Sequence, residues 1–267
     1  MRPPAPSRRI RSLAGWATAA TIGVATYALL GMVDAFVPLV GVWAAREASS
    51  SGASAPATMF MLLQDAISVA QVGCSLAAGV CFLVWLYRAR ANLGAFHDAH
   101  PRLPLGLAVG SWFLPVANLV LPGMVVADAA RESVPPGDPR RRRRLVALVW
   151  SWWTVYVVAT VAAFAGSFAG STSERELLES RLRAGESVDV GRARELFGEL
   201  VVARLPGALL WLAAAVLVIM IMHRIAAAQY DRVDALREGR PGTVPVQRPP
   251  APSSGVPEAS TGATIGT

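Results

Sequence analysis

Asn118 stands between Pro115 and Pro122 inside 103–127, a stretch of 25 residues without a charge. Each proline removes a backbone donor and clashes with the preceding turn, so the stretch cannot be one straight helix. Broken helices at membrane depth free amides and carbonyls, which transporters use to hold ions or substrates. The plainer role for Asn118 is to cap the returning limb and meet donors freed by the break. Asp34 and Asp65 are the next candidates, since intramembrane acids are functional by default. Counted along their helices, both fall near the outer surface, where they would simply be solvated. Asp34, Asp65 and Asn118 are thus the candidates for a polar site within the membrane.

The other chemically capable residues have stronger bland readings. His97, Asp98 and His100, with His223 further on, do not match a metal-site spacing, and no metal or other cofactor is expected. Cys74 and Cys81 lie about 10.5 Å apart if helical, beyond disulfide reach, and read as buried free thiols, with a bridge between two copies of the chain as the alternative. Arg88 or Arg90 could pair with Asp128 and tie a span to the broken stretch. Arg140, Arg141, Arg142, Arg143 and Arg144 form an unbroken basic run. Anionic lipid of the inner leaflet, at about 1 kcal/mol per Arg, suits this run better than nucleic acid. The sequence has no Walker loop, nucleophile elbow, zinc-protease pattern or C-x-x-C, so it is not expected to be an enzyme.

The elements that carry these residues are apolar blocks of span length. The chain is 54% hydrophobic and 16% charged, with a net charge of +7, and all 25 basic residues are arginine. That composition predicts an all-α integral membrane protein. Spans are expected at about 13–33, 66–87, 145–169 and 206–222, within a membrane domain of 13–226. The piece 35–45, with Pro38 and Trp43, either prolongs the first span or lies in the interface, and 48–57 reads as a loop. Trp85 and Tyr87, like Trp152 and Trp153, suit the aromatic belt at the headgroups. Asn92 or Gly94 suits a left-handed helix end. Ser173 and Glu176 open a capping-box pattern, giving an outer helical segment over 174–204. This segment reads as two short helices, one stopping near Gly185 and one over 192–205. Residues 1–12 form a basic disordered start, closer to an anchor than to an export signal, and 239–267 a disordered tail.

Arginine placement gives orientation. The N-terminal tail, the loop after the second span, the 131–144 linker and the C-terminal tail are all arginine-rich, so all four should be cytoplasmic. Four spans meet that condition only if the broken region, 103–131, enters and leaves on one face. Residues 105–114 would be roughly 15 Å of helix, half of a ~30 Å hydrocarbon core. The expected architecture is four transmembrane helices plus one broken, re-entrant or interfacial helical hairpin, with a fifth full span as the alternative.

Two runs resemble a known family. Trp85-Leu-Tyr-Arg88-Ala-Arg90-Ala-Asn92 has the form W-x-x-R-x-x-x-N. Trp112-Phe-Leu-Pro115-Val-Ala-Asn118-Leu-Val-Leu-Pro122 has the form W-F-x-P-x-x-N-x-x-x-P. With Ser133 further on, these are similar to the bacterial membrane family catalogued as domain of unknown function 4328, over roughly 66–217. The resemblance implies an integral membrane protein of GC-rich Gram-positive bacteria, in the plasma membrane. It carries Trp85, Arg88, Asn92, Trp112, Pro115, Asn118 and Pro122 as motif positions, and it brings no activity. Two function classes stay open. One is a non-catalytic scaffold, sensor or partner subunit, binding membrane lipids and other membrane proteins or a second copy of itself. The other is a small-solute or ion channel or transporter using the broken helix around Asn118.

Overall fold

The computed structural model describes residues 10–51, 55–114, 117–169, 180–181 and 189–238. The long helices are α1 (Ala14–Ser51), α2 (Ala55–Leu93), α5 (Pro139–Ala169) and α6 (Val190–Arg237). All four are long and apolar enough to cross a membrane. Between α2 and α5 lie the short α3 (Leu107–Gly110), a 3-10 turn (Ala117–Leu119) and α4 (Leu121–Ser133). No strand occurs among the described residues, so the fold is all-α as expected.

Packing runs α2, α1, α6, α5 across the bundle. α1 lies against both α2 and α6, and α6 against α5. The α2 and α5 backbones stay apart, with Phe82 and Trp152 meeting between them at 6.1 Å, and the α3–α4 region bridges them. Small residues bring α1 close to its neighbours: Ala17, Ala20, Ala28 and Ala35 are all buried. At Gly23 an added Cβ would stand 2.9 Å from the Ala78 Cβ, closer than any side chain tolerates. Helices in lipid gain most from such close approach, because apolar surface alone gives no preference for protein over lipid.

The spans run further than their expected bounds. α1 is 38 residues long, roughly 57 Å at 1.5 Å per residue, nearly twice a ~30 Å core. It passes through Asp34 and Pro38 without ending, so the 35–45 piece prolongs it. The expected 48–57 loop is largely helical, with only 52–54 outside the described residues. The 192–205 piece and the last span are likewise one helix, α6, continuous through Pro206. Asp189 starts it, its carboxylate accepting from the Gly191 N–H at 2.8 Å. The capping pattern at Ser173 lies outside the described residues.

These prolongations share a second core. Val37, Ala44 and Ala45 of α1, Ala57 and Phe60 of α2, and Ala193 and Phe197 of α6 are buried together. Phe60 meets Phe197 edge to face at 5.6 Å. This packing explains why the prolines do not end their helices. Pro38 leaves the Asp34 carbonyl without its usual donor, and the Arg204 guanidinium takes it at 3.4 Å. The same guanidinium lies 3.6 Å from the Asp34 carboxylate. Asp34 is thus paired with α6 and not simply solvated.

Gly23→Leu should force α1 from α2 and cost about 1–3 kcal/mol, lowering the thermal midpoint in detergent. Gly73→Leu, where an added Cβ meets nothing within 4 Å, should leave it unchanged.

Candidate functional site

The site begins at the arginine-rich end of the bundle, where α2 stops. Arg90 and Asp128 form an ion pair there, with side chains only 1% and 5% exposed. The second Arg90 nitrogen donates to the Leu103 carbonyl. The Asp128 carboxylate accepts the Arg102 N–H at 3.1 Å and the Leu103 N–H at 3.4 Å. The first residue of the uncharged stretch and the first residue after it are therefore tied to one point on α2. The stretch enters and leaves at the same end of the bundle, so it is a hairpin and not a fifth crossing.

Beside this pair lies a second polar layer. The Gln229 amide on α6 donates to the Ala89 carbonyl at 3.0 Å and to the Ser133 hydroxyl at 2.9 Å. Its oxygen accepts from the Asn92 amide at 3.2 Å. Asn92 also accepts the Arg11 N–H at 2.8 Å and donates to the Arg11 carbonyl at 2.9 Å. It lies inside α2 and fastens the start of the chain, so it is not the expected left-handed helix end. Arg88 reaches the same segment, donating to the Ser12 carbonyl at 3.2 Å and lying 5.5 Å from the Trp16 ring centroid.

Further out, Arg232 pairs with Asp98, donates to the Glu132 carbonyl at 2.8 Å and lies 4.2 Å from the Phe96 ring centroid. Glu132 in turn accepts the His100 N–H at 2.9 Å. Asp98 and His100 therefore serve as loop anchors. No group of three His, Cys, Asp or Glu among the described residues could hold a metal. Cys74 and Cys81 are free thiols, half-buried rather than fully buried.

The hairpin tip is held by aromatics. Trp112 meets Phe82 at 5.7 Å, Trp153 at 5.9 Å and Tyr156 at 6.4 Å between centroids. The Trp153 indole donates to the Leu119 carbonyl at 3.0 Å, which satisfies backbone freed by the break. Gly123 is required here, since an added Cβ would come within 2.7 Å of the Trp153 ring. Tyr156 lies twelve residues beyond Arg144 on α5, roughly 18 Å along the axis, so the tip reaches about mid-core. Trp85, Trp152 and Trp153 are buried in the main core and are not belt residues.

Asn118 does not cap α4. The N-cap is Val120 with no side-chain bond, and the Asn118 Oδ1 is buried without a partner among the described residues. Pro115 lies outside the described residues, and Pro122 occupies the first turn of α4, where a missing N–H costs nothing. Asp65 is exposed on α2, and Asp34 sits with Arg204, so Asp34, Asp65 and Asn118 are not brought together.

A cavity of about 240 Å³ lies above the tip, lined by residues that include Tyr27, Phe82, Trp112, Trp152, Tyr156 and Trp211, but not Asn118. In the basic run, Arg141 pairs with Asp231 at 2.9 Å and Arg142 donates to the Val134 carbonyl at 3.3 Å. Arg140, Arg143 and Arg144 are exposed. Sequence reasoning did not single out Gln229, Arg232, Tyr27 or Trp211. Gln229, a lone amide within a run of alanines, was the one visible signal.

Four apolar spans, a buried ionic clamp and a half-depth hairpin define a multi-pass helical membrane protein. The chain belongs to the family described as Domain of unknown function (DUF4328), whose model matches residues 48–227. No curated protein and no solved structure matches it.

Removing either partner of the clamp leaves a buried charge, at about 3–5 kcal/mol. Arg90→Leu and Asp128→Leu should each lower unfolding stability in detergent by that order. The double variant should lose clearly less than the sum of the two, as a double-mutant cycle measures.

Proposed function

We propose that the chain is a non-catalytic scaffold or partner subunit of the bacterial plasma membrane. The observation that carries this reading is where the capable side chains are used. Arg90, Asp128, Glu132, Ser133, Gln229 and Arg232 bond to one another and to backbone, and none of them lines the cavity. Groups committed to structure are poorly placed to turn over a substrate or pass an ion.

Two surfaces suit partners. Beyond Asp34 the exposed Phe36, Leu39 and Trp43 recur at helical spacing on α1, and Met59 and Leu62 are exposed in the first turns of α2. Exposed apolar surface of this kind marks interaction sites. At the opposite end, Arg140, Arg143 and Arg144 face solvent and suit anionic lipid headgroups, each contributing about 1 kcal/mol. On this reading the arginine-rich end is cytoplasmic, with both chain termini, and the α1–α2–α6 prolongation is outside.

Sidedness is checked with an impermeant thiol reagent on a background lacking Cys74 and Cys81. Ser50→Cys should label in intact cells, and Arg140→Cys only after permeabilisation. The reverse pattern overturns the orientation. Native mass spectrometry of particles extracted with their lipids reads the partner proposal. Trp43→Ser with Met59→Ser should remove a co-purifying membrane protein or second copy. Neutralising Arg140, Arg143 and Arg144 to Gln should lower retained phosphatidylglycerol. A wild-type chain carrying neither partner nor second copy would sink the scaffold reading.

A further inference from the structure

The cavity above the hairpin tip has a floor, a rear wall and an opening. Trp112 and Phe82 form the floor, and α1 and α6 supply Tyr27, Trp211 and Ala214 behind it. Below the floor the hairpin bridges α2 and α5, and above it their backbones stay apart. Ser75 and Gly79 of α2 line the cavity and are exposed, so it opens sideways between α2 and α5. Ser75 lies thirteen residues before Arg88, roughly 20 Å along α2, so the opening falls within a ~30 Å core and past its middle.

The lining asks little that is polar of an occupant. Of its three hydroxyls, that of Ser75 donates to the Val72 carbonyl at 2.9 Å, and the Tyr156 side chain is hydrogen-bonded to Thr160. The Trp112 Nε1 has no partner among the described residues, but that atom is buried away from the open space. No carboxylate lines the cavity, which disfavours a cation despite the aromatic faces. Apolar cavities exclude water and accept hydrocarbon. The volume of about 240 Å³ is roughly eight times the ~30 Å³ share of one water, room for part of a hydrocarbon chain. The medium at the opening is itself hydrocarbon, in the form of lipid tails.

We propose that this cavity holds an acyl chain of a phospholipid from the leaflet opposite the arginine-rich end. The chain enters between α2 and α5 and ends against Trp112. It closes the upper half of the gap that the hairpin closes below. The two helices are thus joined by protein in one leaflet and by lipid in the other.

The test uses the full chain in phosphatidylcholine nanodiscs that include phosphatidylcholine with a photoreactive diazirine near the end of one acyl chain. Peptide mass spectrometry locates the label. Trp152 and Val218 line the cavity and are buried, so lipid reaches them only through the opening. Val158 and Val216 are exposed and report lipid on the outer surface of the bundle. Label is expected on all four. Ser75→Leu with Gly79→Leu narrows the opening at two exposed positions. This variant should lose the label on Trp152 and Val218 and keep it on Val158 and Val216. Ala214→Leu, which fills the cavity from its rear wall, should do the same. Gly73→Leu, on α2 but outside the lining, should change nothing. A wild-type chain labelled at Val158 and Val216 but not at Trp152 and Val218 overturns the proposal. Undiminished internal label in either blocked variant overturns it too. Stearic acid carrying the same diazirine separates the sources. Internal label from the free acid and none from the phospholipid also counts against the proposal and sinks it. None of these outcomes depends on partner retention, so this proposal and the scaffold reading can each fail alone.

Discussion

The buried pair between Arg90 and Asp128 sets the topology. A charge pair shielded from water survives only when its remaining donors and acceptors are met. Here they are met by backbone at residues 102 and 103, the point where the uncharged stretch begins. Asp128 closes that stretch. One interaction therefore fixes where the chain enters the apolar region and where it must come back. The depth of the tip, the bridging of α2 to α5 and the sidedness of α5 follow from that closure.

Arginine serves a wider role than counter-charge. A guanidinium offers five donors in a planar fork, enough for a carboxylate and a carbonyl together. Arg90 reaches Asp128 and the Leu103 carbonyl, Arg204 reaches Asp34 and its carbonyl, and Arg232 reaches Asp98 and the Glu132 carbonyl. Arg142 takes the Val134 carbonyl just past the end of α4. These carbonyls lie where prolines, helix ends or loops deny them a backbone donor. In a low-dielectric setting such groups must be satisfied by the protein itself. The absence of lysine is consistent with these double duties.

Much of the architecture was legible because it rests on simple sums. Span-length apolar blocks, two prolines and the spread of arginines were enough for four spans and a hairpin. The pairing of α2 with Asp128 was visible as two charges at matching ends. What was not legible depends on distant partners. Nothing local indicates that α1 continues past Pro38, because the compensating donor comes from Arg204, far along the chain. Trp85, Trp152 and Trp153 look like belt residues by position and become core residues through neighbours on other helices. Asn118 invites attention because it is polar in an apolar run, yet the aromatic cavity draws its lining from α1, α2, α5, α6 and Trp112 and passes it by.

The hairpin also makes the molecule unequal in cross-section. On the arginine-rich side, six chain segments share the layer, four spans and two limbs. Past the tip, four remain among the described residues, and the α2 and α5 backbones stand apart. Such a body occupies more area in one leaflet than in the other, so it is wedge-shaped. A wedge of that kind would fit with least elastic stress where the leaflet at its broad end is stretched.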